Sequence, residues 1–520
     1  MEMIDVAVIG LGPVGSAGAL LLGAGGLKIA AFERDAEVYL LPRAVAMDGE
    51  VVRAMQGIGL GEEFAGLLQH IRPGERAGFA NAKREWMFGQ DLMQMGPHGW
   101  SPMSMFHQPD VDGWLRDRAT AHENIDAYVG FDVLGAEDKG DHVIVRAKHL
   151  TTGEVVEVVA RYVIACDGAS SPIRQSLGVG RHDLGYNQDW LVVDVEMNDE
   201  SLLPPETLQV CSPDRLTTYV ATKDPYRRWE FRLNEGETAE GMLEEERIFS
   251  LLDDWAPRGS YKVIRAAVYQ FHALVADSWR KGRVFLAGDA AHQTPPFLGQ
   301  GMNAGMRDVI NLAWKLPRVI SGVSSDNLLD TYFEERIAHS TDLVEWAVTF
   351  GRLMEFFAAQ ERAARGEGPE PTDPPALSAA YGQGRTIPPM RDGLLVKEQV
   401  NDMGFTGYQL EQPIARDESG RTFRLDEALG SGFAVVARSP ADLELTGAAR
   451  SIARVMDMKL VNLDGWEAAE WRFDPLFEKY SAAVVRPDKF IFGHTDGDHS
   501  LSDLIIDLGE RLGLEAHASA

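Results

Sequence analysis

At 520 residues and 45% hydrophobic side chains, the chain is long enough for two or three domains with substantial cores, and its composition is that of a folded protein. A formal charge of −29 argues against nucleic acid or an anionic membrane surface as partner, although one local cluster of arginines still suffices to hold a small anion. No stretch of 18 apolar residues and no basic leader are present, so neither a membrane span nor a signal peptide is expected and the chain is read as cytoplasmic. Cys166 and Cys211 are too few for a disulfide framework or a zinc site; they read as small buried hydrophobes, and no metal is expected.

Residues 3–9 are almost continuously apolar, the pattern of a buried strand, and residues 14–22 form an apolar helical run straight after Gly10-Leu11-Gly12-Pro13-Val14-Gly15. Alone, such a glycine run also fits an ordinary turn. Between a strand and a helix it suits a dinucleotide. Gly10 permits the tight turn, Gly12 lets the backbone approach a pyrophosphate, and Gly15 lets the helix pack on the strand. The helix that begins at Val14 can point its free N–H groups at the anion, and Pro13 and Val14 are counted with the glycines as cofactor contacts. A second apolar strand at 29–32 ends in Glu33, eighteen positions after Gly15, where a carboxylate accepts from the adenosine ribose hydroxyls; Arg34 follows at the same strand end. Leu41-Pro42-Arg43-Ala44 brings Arg43 back over the pyrophosphate or the ring beyond it, with a solvated surface arginine as the alternative.

The apolar run 162–166 leads into Asp167-Gly168, and 284–287 leads into Gly288-Asp289-Ala290-Ala291-His292. Both place an aspartate at the C-terminal end of a strand, where open α/β sheets bind ligands, although Asp-Gly also makes a plain turn. The expected role of Asp289 is a hydrogen bond to the ribitol chain, which FAD has and NAD lacks. The loop Pro295-Pro296-Phe297-Leu298-Gly299-Gln300-Gly301-Met302-Asn303 then enters a helix expected over 304–316. With a flavin ring on this loop, the N–H groups of Gly301, Met302 and Asn303 stabilise negative charge at its pyrimidine edge, and Asn303 also suits an N-cap. Pro317 is expected to end or kink the helix. No second glycine fingerprint is evident for a stably bound nicotinamide.

Residues 181–268 alternate and are rich in aromatics, and are read as a substrate-binding domain of antiparallel strands inserted between two parts of a cofactor fold, residues 1–180 and 269–364, with 75–105 adding to the pocket. Tyr219, Trp229 and Arg232 are candidates for substrate contact, each also suited to sheet packing or a solvated face; His107, beside Gln108, is the candidate base. Residues 365–384 read as a proline-rich linker and 385–520 as a small α/β domain.

The set Gly10-x-Gly12-x-x-Gly15 with Glu33, Asp167-Gly168, and Gly288-Asp289-Ala-Ala-His292 with Pro296-x-x-Gly299-Gln300-Gly301-x-Asn303 resembles the single-component FAD-dependent aromatic hydroxylases related to para-hydroxybenzoate hydroxylase. Pro42-Arg43-Ala44, Gln108-Pro109-x-Val111-Asp112, Asn187-Gln188-x-Trp190 and Gly301-Met302-Asn303-x-Gly305-Met306-Arg307-Asp308 make it most similar to the 3-(3-hydroxyphenyl)propionate hydroxylases among them. The resemblance implies an α/β chain: a Rossmann-like FAD-binding fold, an inserted antiparallel-sheet substrate domain and a C-terminal thioredoxin-like domain. The last lacks C-x-x-C, since both cysteines precede residue 212, so a dithiol activity is excluded and packing or homodimerisation is left. It implies the pyrophosphate at Gly10 to Gly15, ribose at Glu33, and Arg43 and Gln108 near the cofactor. Asp167-Gly168 then serves FAD and the transient nicotinamide, Asp289 the ribitol, and the loop from Pro296 to Asn303 the isoalloxazine. The implied reaction consumes NADH or NADPH and O2, and transfers oxygen from a C4a-hydroperoxyflavin to a carbon ortho or para to the hydroxyl of a small phenolic substrate, in aromatic catabolism. The alternatives are a tailoring hydroxylase of a polycyclic phenol in secondary metabolism and, from another class, a non-catalytic FAD-fold binding protein.

Overall fold

The computed structural model describes residues 3–72, 74–376 and 387–514. Positions 377–384 of the expected linker lie outside these residues.

Five parallel strands form the centre of the eight-stranded first sheet, in the spatial order Ile125–Val129, Ile29–Glu33, Ile4–Ile9, Val155–Ala165, Val284–Leu286, and three further strands pair antiparallel at its margins. Ile4–Ile9 lies in the middle because Val6 to Ile9 carry apolar side chains on both faces and are buried on both. The C-terminal ends of Ile4–Ile9, Val155–Ala165 and Val284–Leu286 therefore meet on one edge, which brings together the glycine run, Asp167-Gly168 and Gly288-Asp289. Helix Pro13–Ala24 covers one face and packs against helix Gly301–Ile320. That second helix runs beyond the expected 304–316 at both ends and is not stopped by Pro317. Pro317 stands within the last turn, where a missing N–H costs one backbone bond, and Ser321 N–H closes the end on the Pro317 carbonyl.

The second sheet has eight strands, ordered His292–Gln293, Tyr261–Ala276, Arg181–Met197, Tyr226–Arg232, Leu216–Val220, Thr207–Cys211, Arg76–Ala80, Trp86–Asp91, antiparallel except where Thr207–Cys211 runs parallel to Arg76–Ala80. Its strands alternate with period two. One face carries Leu208, Val210, Tyr219, Trp229 and Phe231 into an apolar core closed by helix Glu245–Leu252. The other carries Gln209, Thr218, Arg228 and Glu230 toward the cofactor edge. Helix Asp330–Ala364 packs along this sheet and sends Phe350 toward Phe79 at a ring separation of 5.5 Å.

The C-terminal unit has a four-stranded sheet ordered Lys459–Asn462, Ala434–Ala437, Ala482–Val485, Ile491–His494, the first pair parallel and the others antiparallel, with helices Gly447–Val455 and Leu501–Arg511 against it. This is a thioredoxin-like arrangement without redox cysteines. It is welded to the cofactor fold by buried charge. Glu335 of helix Asp330–Ala364 accepts from Arg486 at 2.8 and 2.9 Å, from Lys315 at 2.7 Å, and from the Leu394 N–H at 3.0 Å. Arg53 pairs with Asp426 at 2.7 Å, and Gln409 donates to Glu50 at 3.0 Å. Among the described residues no helix is long and apolar enough to cross a membrane.

Candidate active site

One cavity of about 800 Å³ runs from the edge of the parallel sheet to the inner face of the second sheet. Gly12, Pro13, Val14, Gly15, Arg43, Gln108, Gly168, Gly288, Asp289, Pro296, Gly299, Gln300, Gly301 and Met302 all line it. These positions are far apart in sequence, and the strand order alone brings them together.

At the glycine run the packing separates two roles. A Cβ on Gly15 would stand 1.8 Å from the Gly10 carbonyl oxygen, so no side chain fits, whereas a Cβ on Gly12 would meet nothing within 4 Å and would project into space that only a ligand fills. Gly10 lies beneath the lining, its N–H donating to the Phe32 carbonyl at 2.7 Å. Glu33 and Arg34 are not among the lining residues. Glu33 accepts from the Leu11 N–H at 2.7 Å and the Asp35 N–H at 2.8 Å, bracing the loop, and Arg34 is exposed beside Asp35.

The Asp-Gly segments also divide the work. Asp167 accepts from the Ser171 hydroxyl at 2.5 Å and the Ile173 N–H at 3.0 Å, capping the short helix Pro172–Ser176, so its carboxylate acts within the protein. Asp289 has no hydrogen-bond partner among the described residues and is open to the cavity. The protein walls around it raise its pKa, against the pull of His292 and Arg43. Behind it, buried Asp308 accepts from the Gly288 N–H at 2.9 Å, His292 Nε2 at 2.8 Å and Arg336 Nε at 2.9 Å. Arg174, which sequence reasoning passed over, bridges the two segments by donating to the carbonyls of Ala290 and Ala169 at 3.0 and 3.1 Å.

Asn303 does not cap its helix. Gln300 holds the N-cap position, without a side-chain cap bond, and Asn303 lies inside the first turn. Its carboxamide accepts from the Asp48 N–H and donates to the carbonyls of Ala46 and Gly299, each at 3.0 Å, tying the loop to strand Ala46–Asp48 from behind the cavity. The first-turn N–H groups at 301–303 have no intrahelical acceptor and face the loop end. Arg307 pairs with Glu50 at 2.7 Å and with Asp48, locking the same corner.

The candidate substrate residues lie elsewhere than expected. Tyr219 and Trp229 are fully buried in the outer core, Tyr219 donating to the Pro204 carbonyl at 2.9 Å, because the period-two alternation turns them away from the cavity. Arg232 is at the strand end, paired with Glu355 at 2.8 Å. His107 stacks on Tyr226 at 4.4 Å and approaches Asp110 at 3.0 Å, off the lining. In their place the inner face presents Gln209, Thr218, Arg228 and Glu230, flanked by Phe79, Phe88, Phe271, Phe297 and Phe350. The alternation that conceals Tyr219 was the signal for its neighbour Thr218.

Arg228 is engaged on all sides. It donates to both Asp194 oxygens at 2.7 and 3.2 Å, and to the carbonyls of Arg43 and Pro42 at 2.6 and 2.7 Å. The Glu230 carboxylate lies 4.0 Å from an Arg228 nitrogen and makes no hydrogen bond among the described residues, and the residue is 5% exposed. Burial pushes its carboxyl up to about 7 against the opposing pull of Arg228.

The cavity suits an elongated, anionic, hydroxyl-rich cofactor. It has a helix N-terminus at Gly12 to Gly15, a free carboxylate at Asp289 midway, and a second helix N-terminus at Gly301. The family described as FAD binding domain matches residues 3–347, and the HcaD C-terminal domain matches 407–508. A probable NADH-specific resorcinol 4-hydroxylase of Rhodococcus jostii is 31% identical over 95% of this chain and 92% of its own. A 3-(3-hydroxy-phenyl)propionate/3-hydroxycinnamic acid hydroxylase of Klebsiella pneumoniae is 32% identical over 83% of this chain and 77% of its own. The crystal structure of aklavinone-11 hydroxylase with FAD and aklavinone superposes with a TM-score of 0.78 at 21% identity, covering 99% of this chain and 100% of that one, which shows a shared fold. A family match over most of the chain, joined to relatives of 31 and 32% identity aligned over 92% and 77% of their own length, makes this chain a member of the FAD-dependent aromatic hydroxylases, flavoprotein monooxygenases that use a nicotinamide and O2 to hydroxylate phenolic rings.

Proposed function

We propose that the chain hydroxylates a small phenol held between the loop 296–302 and the inner face of the second sheet. NADH is the reductant and the cytosol the site of action. The observation that carries this is the continuity of one cavity from Gly12–Gly15 past Asp289 to Thr218 and Glu230. The resorcinol 4-hydroxylase relative supports NADH and a phenolic substrate. When bound, FAD supplies the redox chemistry, taking a hydride from the nicotinamide and activating O2 for transfer to an electron-rich ring carbon.

The protein's part is binding, placement and dryness. The N–H groups of the Gly12–Gly15 turn and the Arg43 guanidinium hold the pyrophosphate. Glu33, after bracing Leu11, retains lone pairs for the ribose, and Asp289 accepts from a ribitol hydroxyl. The first-turn N–H groups of Gly301, Met302 and Asn303 hold negative charge at the pyrimidine edge. Phe79, Phe271, Phe297 and Phe350 keep water from the ring, and Gln108 and Asp167 act by holding backbone.

The test is NADH consumption by the flavin-loaded enzyme with a panel of phenols, coupled to product identification. The expected result is a hydroxylated product formed in proportion to NADH oxidised for at least one phenol. If no phenol accelerates NADH oxidation or yields such a product, the reading falls.

A further inference from the structure

We propose that the substrate is an uncharged ring bearing at least two hydroxyl groups, one donating its proton to Glu230 and another bonding to the Gln209–Thr218 pair; this rests on the phenol-hydroxylase reading above. Gln209, Thr218 and Glu230 are in direct register across three adjacent strands, Gln209 opposite Thr218 and Thr218 opposite Glu230. All three point to the cavity and are 3 to 6% exposed. The Thr218 hydroxyl donates to Gln209 Oε1 at 2.7 Å. This line of polar groups ends at the cofactor loop, where Gln209 Nε2 donates to the Phe297 carbonyl at 3.4 Å. Adjacent strands lie about 4.8 Å apart, so a flat ring laid across them meets Thr218 with one substituent and Glu230 with another.

Glu230 is the unsatisfied member of this row. Its carboxylate opens onto the cavity 4.0 Å from Arg228 and has no hydrogen-bond donor among the described residues, so a donor brought by the ligand is favoured there. The proton step is balanced within the site. The phenolic O–H bond breaks, its electron pair stays on oxygen, and Glu230 becomes the neutral acid, so the charge beside Arg228 is conserved. The resulting phenolate is the electron-rich ring that hydroxylation needs. Glu230 faces Arg228 on its own strand and Asp194 and Arg265 on the strands beyond.

The same groups exclude a carboxylate-bearing ring. Arg43 and Arg228 are the arginine and lysine side chains among the described lining residues. Arg43 belongs to the pyrophosphate end, and Arg228 is spent on Asp194 and two carbonyls. An aryl carboxylate in the pocket would face Glu230, and the remaining lining side chain able to carry positive charge, His272, is bonded through Nδ1 to Asn187 Oδ1 at 2.7 Å. The site therefore fits a neutral benzenediol better than a hydroxyphenylpropionate, although relatives named for each are of similar identity.

The experiment uses the flavin-loaded enzyme with resorcinol, phenol and 3-(3-hydroxyphenyl)propionate, following the flavin absorbance on binding and hydroxylation coupled to NADH. Resorcinol is expected to bind at least tenfold more tightly than either other ring, with kcat/KM rising through about pH 7. Glu230→Gln is expected to keep its flavin spectrum, lose at least thirtyfold in kcat, and lose that pH limb; Glu230→Asp is expected to recover part of both. Thr218→Val, which leaves Glu230 in place, is expected to erase the preference for resorcinol over phenol and serves if Glu230→Gln does not fold. Faster turnover of the propionate, or a Glu230→Gln enzyme within threefold of wild type with the limb intact, would overturn the proposal and leave the phenol-hydroxylase reading standing. Failure of all three rings, extended to a wider panel of phenols, would overturn both.

Discussion

The Arg43 backbone N–H donates to Gln108 Oε1 at 2.6 Å, and the Arg43 carbonyl accepts from Arg228 at the same distance. One residue of the cavity lining is thus gripped on one side by helix Gln108–Ala121 and on the other by the second sheet. Gln108 also takes the Ala44 N–H at 2.6 Å and donates to Asp112 at 3.0 Å.

Gln108→Leu leaves the N–H groups of Arg43 and Ala44 without an acceptor. An unmet buried donor costs about 1–3 kcal/mol. FAD affinity is expected to fall at least tenfold, read by titrating the apoprotein and following flavin fluorescence. An unchanged Kd would show that the loop holds its shape without Gln108.

The glycine run provides a paired test. In Gly15→Ala the new methyl collides with the Gly10 carbonyl oxygen, and overpacking of this kind costs about 1–3 kcal/mol, so the apoprotein is expected to melt several degrees lower. In Gly12→Ala the methyl meets no protein atom within 4 Å, so apoprotein stability is expected to stay the same while FAD binding weakens. Equal melting losses in the two variants would refute the division of roles.

Glu335 and Arg486 concern stability. Against the cost of burial, Arg486 and Lys315 hold the Glu335 carboxyl down to about 2. Its folded pKa is depressed, so its contribution is full above the unfolded value of about 4.3 and is lost as pH falls toward 2. Arg486→Met removes the larger partner, and breaking a buried pair costs about 3–5 kcal/mol. Urea unfolding at pH 7 is expected to show that loss, and acid unfolding is expected to begin at a higher pH than in wild type.

Tyr219→Phe and Arg232→Ala are expected to leave turnover with a phenol within twofold of wild type. Tyr219→Phe loses one bond to Pro204, worth about 1 kcal/mol, and Arg232→Ala one partly exposed pair with Glu355, worth less. Steady-state kinetics decides it, and a tenfold loss of kcat in either would place that side chain in the pocket after all.

The cofactor end was legible in the sequence because its signals are local. Gly10 to Gly15 are consecutive, and Gly288-Asp289 and Pro296 to Gly301 sit at strand and helix ends that apolar runs mark out. The substrate end was not legible in that way. Thr218 and Glu230 share the cavity only through sheet pairing between strands, and choosing between Tyr219 and Thr218 needs to know which face of the sheet is covered by helix Glu245–Leu252. Aromatic residues drew the eye to the outer core. Pro317 misled for a related reason, because burial of Leu312 and Leu316 carries the helix through a residue whose intrinsic preference is against it.

The ionic weld at Glu335 also bears on ancestry. The carboxylate belongs to the segment before residue 365 and its guanidinium partner to the segment after 480, with both fully buried. A chimera that takes one side of this joint from another lineage leaves Glu335 with Lys315 and Arg486 with Asp488 but breaks the buried pair that crosses the joint, unless the donor carries the matching partner. The two portions of the gene are therefore expected to have travelled together, and domain shuffling in this group is expected to succeed only where acid and base are exchanged as a set.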